Sequence, residues 1–290
     1  MRRLVIVALM SVVASAAHAA DWPEDFPALR GGFAESSGRR NWEGWYVGGQ
    51  FGYSAAQLDM GNANKSLTDY ILRNSVLQNP VGQWSLLESK NATGTGFGGF
   101  VGRNWQWEDA VIGLEISYSN LSNVRGSSSG AMGREINSGD STPPPNTTYL
   151  YNVGLAGSAT TEIKDIMTLR ARLGWDAGAF MPYAFAGVAL GRINVNRDAT
   201  VNVSRREIYT DPTTGATSVA GPYAISYVPN TRSEGGEDSI AGGYSFGVGT
   251  EFNLVGGLFA RAEWEYARFV KVKDVATSMN SARVGIGYRF

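Results

Sequence analysis

The sequence contains no cysteine and a single histidine, His18. Without cysteine no disulfide can staple the fold, although an exported chain would have the redox environment for one. His18 falls inside the leading segment expected to be cut away, so the mature chain is expected to have neither residue. That removes Ser-His-Asp and Cys-His catalysis, nearly all zinc sites and the usual haem ligands. Charge of one sign is also lacking: the formal net charge is -1, which gives no reason to expect nucleic acid as a partner. Past the first twenty residues there is no run of about 18 apolar residues, so no membrane-spanning helix is expected. Mean hydropathy is only -0.17, which an average would read as soluble. Averages fail where each apolar residue alternates with a polar one.

What is present begins with an export signal. Arg2 and Arg3 supply a basic start, Leu4 to Ala16 an apolar core, and Ala17-His18-Ala19 an A-x-A cleavage site, so residues 1–19 read as a cleavable signal peptide. Residues 20–43 show no sustained period and read as a periplasmic tail. From Gly44 to Phe290 alternation takes over. The last stretch is the clearest: Ala282, Val284, Ile286, Tyr288 and Phe290 share one face, and Arg283, Gly285, Gly287 and Arg289 the other. A period of two is a strand. One wholly apolar face opposite a small or charged one suits lipid on one side and a polar lumen on the other.

Seven earlier segments repeat the pattern, over roughly 45–56, 95–107, 111–118, 165–175, 182–196, 240–252 and 258–266. In the fifth of the eight strands the phase is ambiguous, and Ala184, Ala186, Val188 and Leu190 are favoured outward. Hydrocarbon offers no partner for a stray N–H or C=O, so such a sheet must close on itself. The expected fold is therefore all-β: an eight-stranded antiparallel transmembrane β-barrel over 44–290. Short links at 108–110, 176–181 and 253–257 read as periplasmic turns. Long connections at 57–93, 121–162 and 197–238, rich in Ser, Thr, Gly, Asn and Pro, read as mobile extracellular loops.

With these phases Glu115, Arg170, Arg172, Glu251, Arg261, Glu263, Glu265 and Arg283 point into the lumen, as does Arg289. A barrel of eight strands is only wide enough for its own side chains. Those charges should pair in an interior network; a narrow polar conduit lined by arginine is the alternative. Glu263 and Glu265 on one strand could suggest acid–base chemistry, but beside arginines they read as ion-pair partners, and a hydrolase lacks a histidine base. An aromatic girdle is expected, with Trp45, Trp105, Trp107 and Trp175 at the periplasmic ends and Tyr118, Tyr244 and Tyr266 at the outer ends. Arg103 is the misfit, because its phase aims it at lipid; near a strand end it can snorkel. Gly94-Thr95-Gly96-Phe97-Gly98-Gly99 contains G-x-G-x-x-G, but a strand follows where a dinucleotide site needs a helix.

Several stretches carry a resemblance: Gly44-Trp45-Tyr46-Val47-Gly48-Gly49, Gly102-Arg103-Asn104-Trp105-Gln106, Ile112-Gly113-Leu114-Glu115, Leu169-Arg170-Ala171-Arg172-Leu173-Gly174 and Arg283-Val284-Gly285-Ile286-Gly287-Tyr288-Arg289-Phe290. In order and spacing they resemble the small porin-like outer-membrane β-barrel proteins of alphaproteobacteria, often major surface antigens. Arg103 stands where that family usually has an aromatic. The resemblance implies an abundant protein of the Gram-negative cell outer membrane that supports the envelope and faces host or environment through its loops. It implies outer-membrane lipid and lipopolysaccharide as neighbours, and Ile286, Tyr288 and Phe290 as the signal read by the barrel assembly machinery. Some relatives are described as porins and some as haem-binding. Here haem would need Tyr or Met as ligand, so no cofactor is expected.

Overall fold

The computed structural model describes residues 41–137, 143–236 and 239–290. The expected signal peptide and residues 20–40 of the expected tail lie outside the described residues. Eleven strands form one sheet: β1 (Gly44–Asp59), β2 (Lys90–Trp107), β3 (Ala110–Ser122), β4 (Arg125–Asn137), β5 (Thr147–Trp175), β6 (Phe180–Thr210), β7 (Thr217–Ile225), β8 (Thr231–Glu234), β9 (Ser239–Val255), β10 (Leu258–Val272) and β11 (Val275–Arg289). Eight of them, β1, β2, β3, β5, β6, β9, β10 and β11, pair in antiparallel succession around a closed ring. β11 returns to β1 in register from Tyr46↔Arg289 to Asp59↔Ala276. No strand edge is left open to hydrocarbon, as the fold requires.

The turns at one end are tight. Glu108-Asp109 and Gly256-Gly257 join β2 to β3 and β9 to β10, and Gly256 takes a positive φ of 60° that glycine tolerates without cost. At the other end β10 and β11 are joined by Lys273-Asp274 alone, both left-handed (φ 46° and 66°) as a two-residue hairpin turn demands.

The wall follows the alternation. Leu169, Leu173, Val188, Leu190, Val248, Trp264, Val284 and Ile286 point outward and are exposed to the surroundings, as are Ala184 and Ala186 of β6. Lipid-facing and lumen-facing residues thus take the places that the period of two assigned them.

The long connections depart from expectation. Their described residues lie largely in strands and short helices, not in loose loops. β5 and β6 run for 29 and 31 residues, about 100 Å of chain each, where a tilted crossing needs about 9–11 residues. Paired from Gly174↔Tyr183 up to Thr147↔Tyr209, they rise past the barrel, and β4, β7 and β8 add to their edges. Two short helices, α1 (Lys65–Ile71) and α2 (Gln78–Gly82), belong to the connection between β1 and β2. Neither helix has a side-chain cap. Their hold comes from burial: Leu67, Ile71, Leu72, Leu77 and Val81 pack with Tyr151, Val153 and Leu155 of β5 and Ala199, Val201 and Val203 of β6. The result is a roof with a core of its own.

Candidate functional site: a stratified lumen

The interior is built in layers, read most simply along β1 and β11. From the tight-turn end, β1 presents Tyr46, Gln50, Ser54, Ala56 and Leu58 inward, while β11 presents Arg289, Arg283, Ser281, Met279, Thr277 and Val275. Each of these side chains is buried.

The lowest layer is a cork. Trp42 is fully buried among Val111, Met181, Tyr183 and Phe185. Its indole Nε1 donates to Asp176 Oδ1 at 2.8 Å and its backbone N–H to Gln106 Oε1 at 2.7 Å, while the Arg289 guanidinium lies 4.7 Å over its ring. Trp42 falls in the stretch expected to be tail. Nothing periodic surrounds it, so only its size and the Nε1–H could have marked it. Above it Tyr46, Phe100 and Phe259 cluster with centroids 6.0–6.2 Å apart. Gly48 and Gly287 make room for them: a Cβ at either would come within 2.2 Å of Phe100 Cζ or 2.4 Å of Phe259 Cζ.

The next layer is ionic. Four glutamates (Glu115, Glu251, Glu263, Glu265) meet five arginines (Arg170, Arg172, Arg261, Arg283, Arg289), all buried. Glu115 is the hub. It accepts from Arg170 Nε at 3.1 Å, from Arg172 Nη1 at 3.1 Å, from Arg261 Nη1 at 2.9 Å and from the Tyr46 hydroxyl at 2.8 Å. Arg170 reaches on to Glu263 at 2.7 Å, and Tyr183 donates to the same carboxylate at 2.6 Å. Arg172 also pairs with Glu251, which accepts from Arg289 at 2.7 Å. Arg283 pairs with Glu265 and lies 3.7 Å from Glu263. All eight lumen charges singled out in the sequence thus come together, with Arg289 as a ninth. Tyr46, Tyr183 and Gln50 join them as partners; in the sequence Tyr46 and Gln50 fall on the face opposite Trp45, Val47 and Phe51, and that phase is the signal that marks them.

Aromatic rings cover the flat faces of the same arginines whose edges the carboxylates bind. Arg261 stacks 3.3 Å from the centroid of Phe100, Arg172 3.9 Å from Tyr183 and Arg170 4.1 Å from Phe185. Planar guanidinium suits this double role better than ammonium does. The hydroxyl layer follows: Arg261 donates to Gln50 at 2.6 Å, Gln50 to Ser117 and Ser119 at 2.9 Å each, and Ser54 bonds Ser281 at 2.9 Å. A gap of about 10 Å³ among Gln50, Ser54, Ser281 and Arg283 is at the lower limit for one water. Above this the lumen turns apolar, filled by Leu58, Met60, Val124, Ile163, Ile166, Ile193, Phe269 and Met279, all buried.

Arg197 ties the roof to the rim. Its guanidinium donates to Ala63 O at 2.6 Å, Lys273 O at 2.9 Å, Asp274 at 2.7 Å and Glu234 at 2.8 Å. Helix connection, outer turn and β8 therefore meet at one side chain. The Arg197 hydrogen bond holds the Glu234 carboxyl below the usual carboxylate range. Burial pushes Asp274 up, but hydrogen bonds from Ser66 and Arg197 outweigh it and leave that group lowered too.

Outside, Trp45, Trp107 and Trp175 are exposed near the tight-turn end with Trp105 half-buried, and Tyr118 and Tyr244 are exposed toward the roof with Tyr266 half-buried. Arg103 does face outward, held 5.7 and 5.2 Å from the rings of Trp45 and Trp105. Ile286 and Tyr288 are exposed on the outer face of β11 and Phe290 just past its end, where the Phe290 N–H bonds Trp45 O at 2.9 Å across the seam. Among the described residues no grouping of His, Cys, Asp or Glu could hold a metal ion.

Several known structures are similar to this chain. Ail of Yersinia pestis, solved in complex with the heparin analogue sucrose octasulfate, is 13% identical over 85% of this chain and 99% of that one, with a TM-score of 0.32. Neisserial surface protein A is 13% identical over 85% and 97% (TM-score 0.31). The N-terminal β-barrel domain of Pseudomonas aeruginosa OprF is 11% identical over 85% and 98% (TM-score 0.33). No curated relative matches the sequence. The model of one family matches residues 5–290. With its closed ring of eight strands and lipid-facing wall, the chain belongs to the outer membrane protein beta-barrel domain family and resides in the Gram-negative outer membrane.

Proposed function

We propose that this protein is a closed structural barrel that reinforces the envelope and displays an ordered roof at the cell surface. The carrying observation is the filled lumen: Trp42 below, nine mutually paired charges in the middle, and an apolar plug above. Opening a path would part ion pairs in a space without bulk water, and an uncompensated buried charge costs about 3–5 kcal/mol. The carboxylates are committed to arginines, so the protein is no enzyme of the lumen. The roof is the part offered to a host or environmental ligand, in the manner of a surface antigen. Residues 1–19 direct export and are removed. Ile286, Tyr288 and Phe290 are presented to the assembly machinery, and the two sets of aromatic rings seat the wall among lipid headgroups.

Planar-bilayer recording of purified protein tests the reading against its rival, a porin-like narrow channel. Silence from a preparation that migrates as a folded barrel when unboiled is expected. Steady conducting steps would sink the closed-barrel reading in favour of the channel.

A further inference from the structure

Three outward-facing arginines stand on the wall of the barrel. Arg103 is held by two tryptophan rings, and Arg192 is paired with Asp165, which also accepts from Tyr118 and Asn120. Arg268 has neither kind of support. Among the described residues its side chain makes no ion pair, hydrogen bond or ring contact, and the same is true of the Lys271 side chain three positions on. Both are exposed on β10, above the half-buried ring of Tyr266, and Arg268 lies directly across the ladder from Tyr244. Tyrosines of this kind mark the headgroup level, so the two cations stand where a lipid phosphate lies.

The surface between them is shaped. A groove of about 310 Å³ is lined by Arg268, Lys271, Tyr244, Val270, Gly243 and Ala276. It contains two positive charges, a phenol and an apolar floor, and no carboxylate. The groove on the far side of Arg268 does contain an acid, Asp59, but that carboxylate already accepts from the Gly61 N–H and from Ser89.

We infer that the Arg268–Lys271 groove docks the phosphorylated headgroup of an outer-leaflet glycolipid, the guanidinium and ammonium clasping phosphate while Val270 and Tyr244 meet the first acyl carbons. The inference rests on the outer-membrane reading, with the roof end outward. Arg offers phosphate a planar fork and Lys a point charge.

Intact protein from outer membranes, in detergent, is titrated with bisphosphorylated lipid A, with the same lipid stripped of phosphate, and with inorganic phosphate, and bound lipid is counted by native mass spectrometry. The phosphorylated lipid should bind more tightly than the stripped one. The R268Q/K271Q variant should lose about 30-fold toward the phosphorylated form only. The charge-conserving R268K/K271R and the roof variant R73Q should bind within a fewfold of the unaltered protein. Unboiled gel migration, read first, reports the barrel without reference to lipid. A variant that migrates as folded and still binds phosphorylated lipid as tightly as the parent overturns the inference and leaves the barrel reading intact. Equal binding of both lipids overturns it as well, as does competition by inorganic phosphate at matching concentration, which would mark a free-anion site.

Discussion

β6 crosses two solvents, and its outward face changes character between them. In its lower half Ala184, Ala186, Val188 and Leu190 point outward, while the same outward face higher up reads Asn194, Asn196, Asp198, Thr200 and Asn202. The inward face of β5 changes the opposite way, from Arg170 and Arg172 low to Leu155 and Val153 high, while that of β6 is largely apolar throughout, from Tyr183 and Phe185 to Val201 and Val203. The backbone ladder runs through almost unbroken; one shift, between Ile163 and Asp165, interrupts it. What differs is the medium outside. Against lipid the apolar side must face out and the polar groups must satisfy one another within. Against water the arrangement reverts to that of an ordinary soluble sheet, apolar side in. One strand therefore obeys two patterning rules in succession.

That comparison can be broken most severely at the ionic hub. Glu115→Ala leaves Arg170, Arg172 and Arg261 without their shared carboxylate and should cost about 3–5 kcal/mol, seen as a drop in the urea midpoint for unfolding from lipid vesicles. A loss under 1 kcal/mol would mean that water enters the layer freely. In the roof the corresponding lesion is apolar. Leu155→Ala should cost about 2–5 kcal/mol locally, so protease should cut the roof while unboiled migration of the barrel stays unchanged; loss of both together would show that the tiers unfold as one. The outward faces allow a matched pair. Val188→Arg puts a cation against lipid at about 2–4 kcal/mol, whereas Asn202→Arg, on the same face of the same strand, should stay within about 0.5 kcal/mol. Equal costs would refute the change of surroundings along the outward face of β6.

The smallest effect is at the Arg197 tie. Glu234 and Asp274 both have lowered folded-state values, so their contribution is fully present above the ordinary carboxylate pKa of about 4 and disappears as pH falls through the lowered values. Hydrogen exchange in the roof should therefore be flat from neutral pH down to about 5 and accelerate below 4, beyond the intrinsic change in exchange rate. Arg197→Gln should remove that acid-dependent step. A step that survives the substitution would place the titrating groups elsewhere.

The sequence made the lower tier plain for the reason that hid the upper one. Lipid forces strict alternation, so segments such as Leu169 to Trp175 and Ala282 to Phe290 declare both element and phase, and from phase the whole charged layer follows. In the roof Tyr151, Val153 and Leu155 also alternate, but with Asn152, Gly154 and Ala156, inside a stretch whose Ser, Thr and Gly content resembles a solvated loop. α1, seven residues long and without a side-chain cap, has little helical signal of its own; long-range packing makes it. Trp42 was invisible for a third reason. It precedes the first repeat, and its partners Gln106 and Asp176 are 64 and 134 positions away.

The change along the outward face also fixes how deep the molecule floats. Were the cylinder pushed down by two residues, about 7 Å, Arg192 and Asn194 would enter oil; lifted by as much, the lowest ring of leucines and tryptophans would meet water. Either displacement meets a rising penalty, so the chain carries its own waterline. A bilayer of the wrong thickness must bend to meet it.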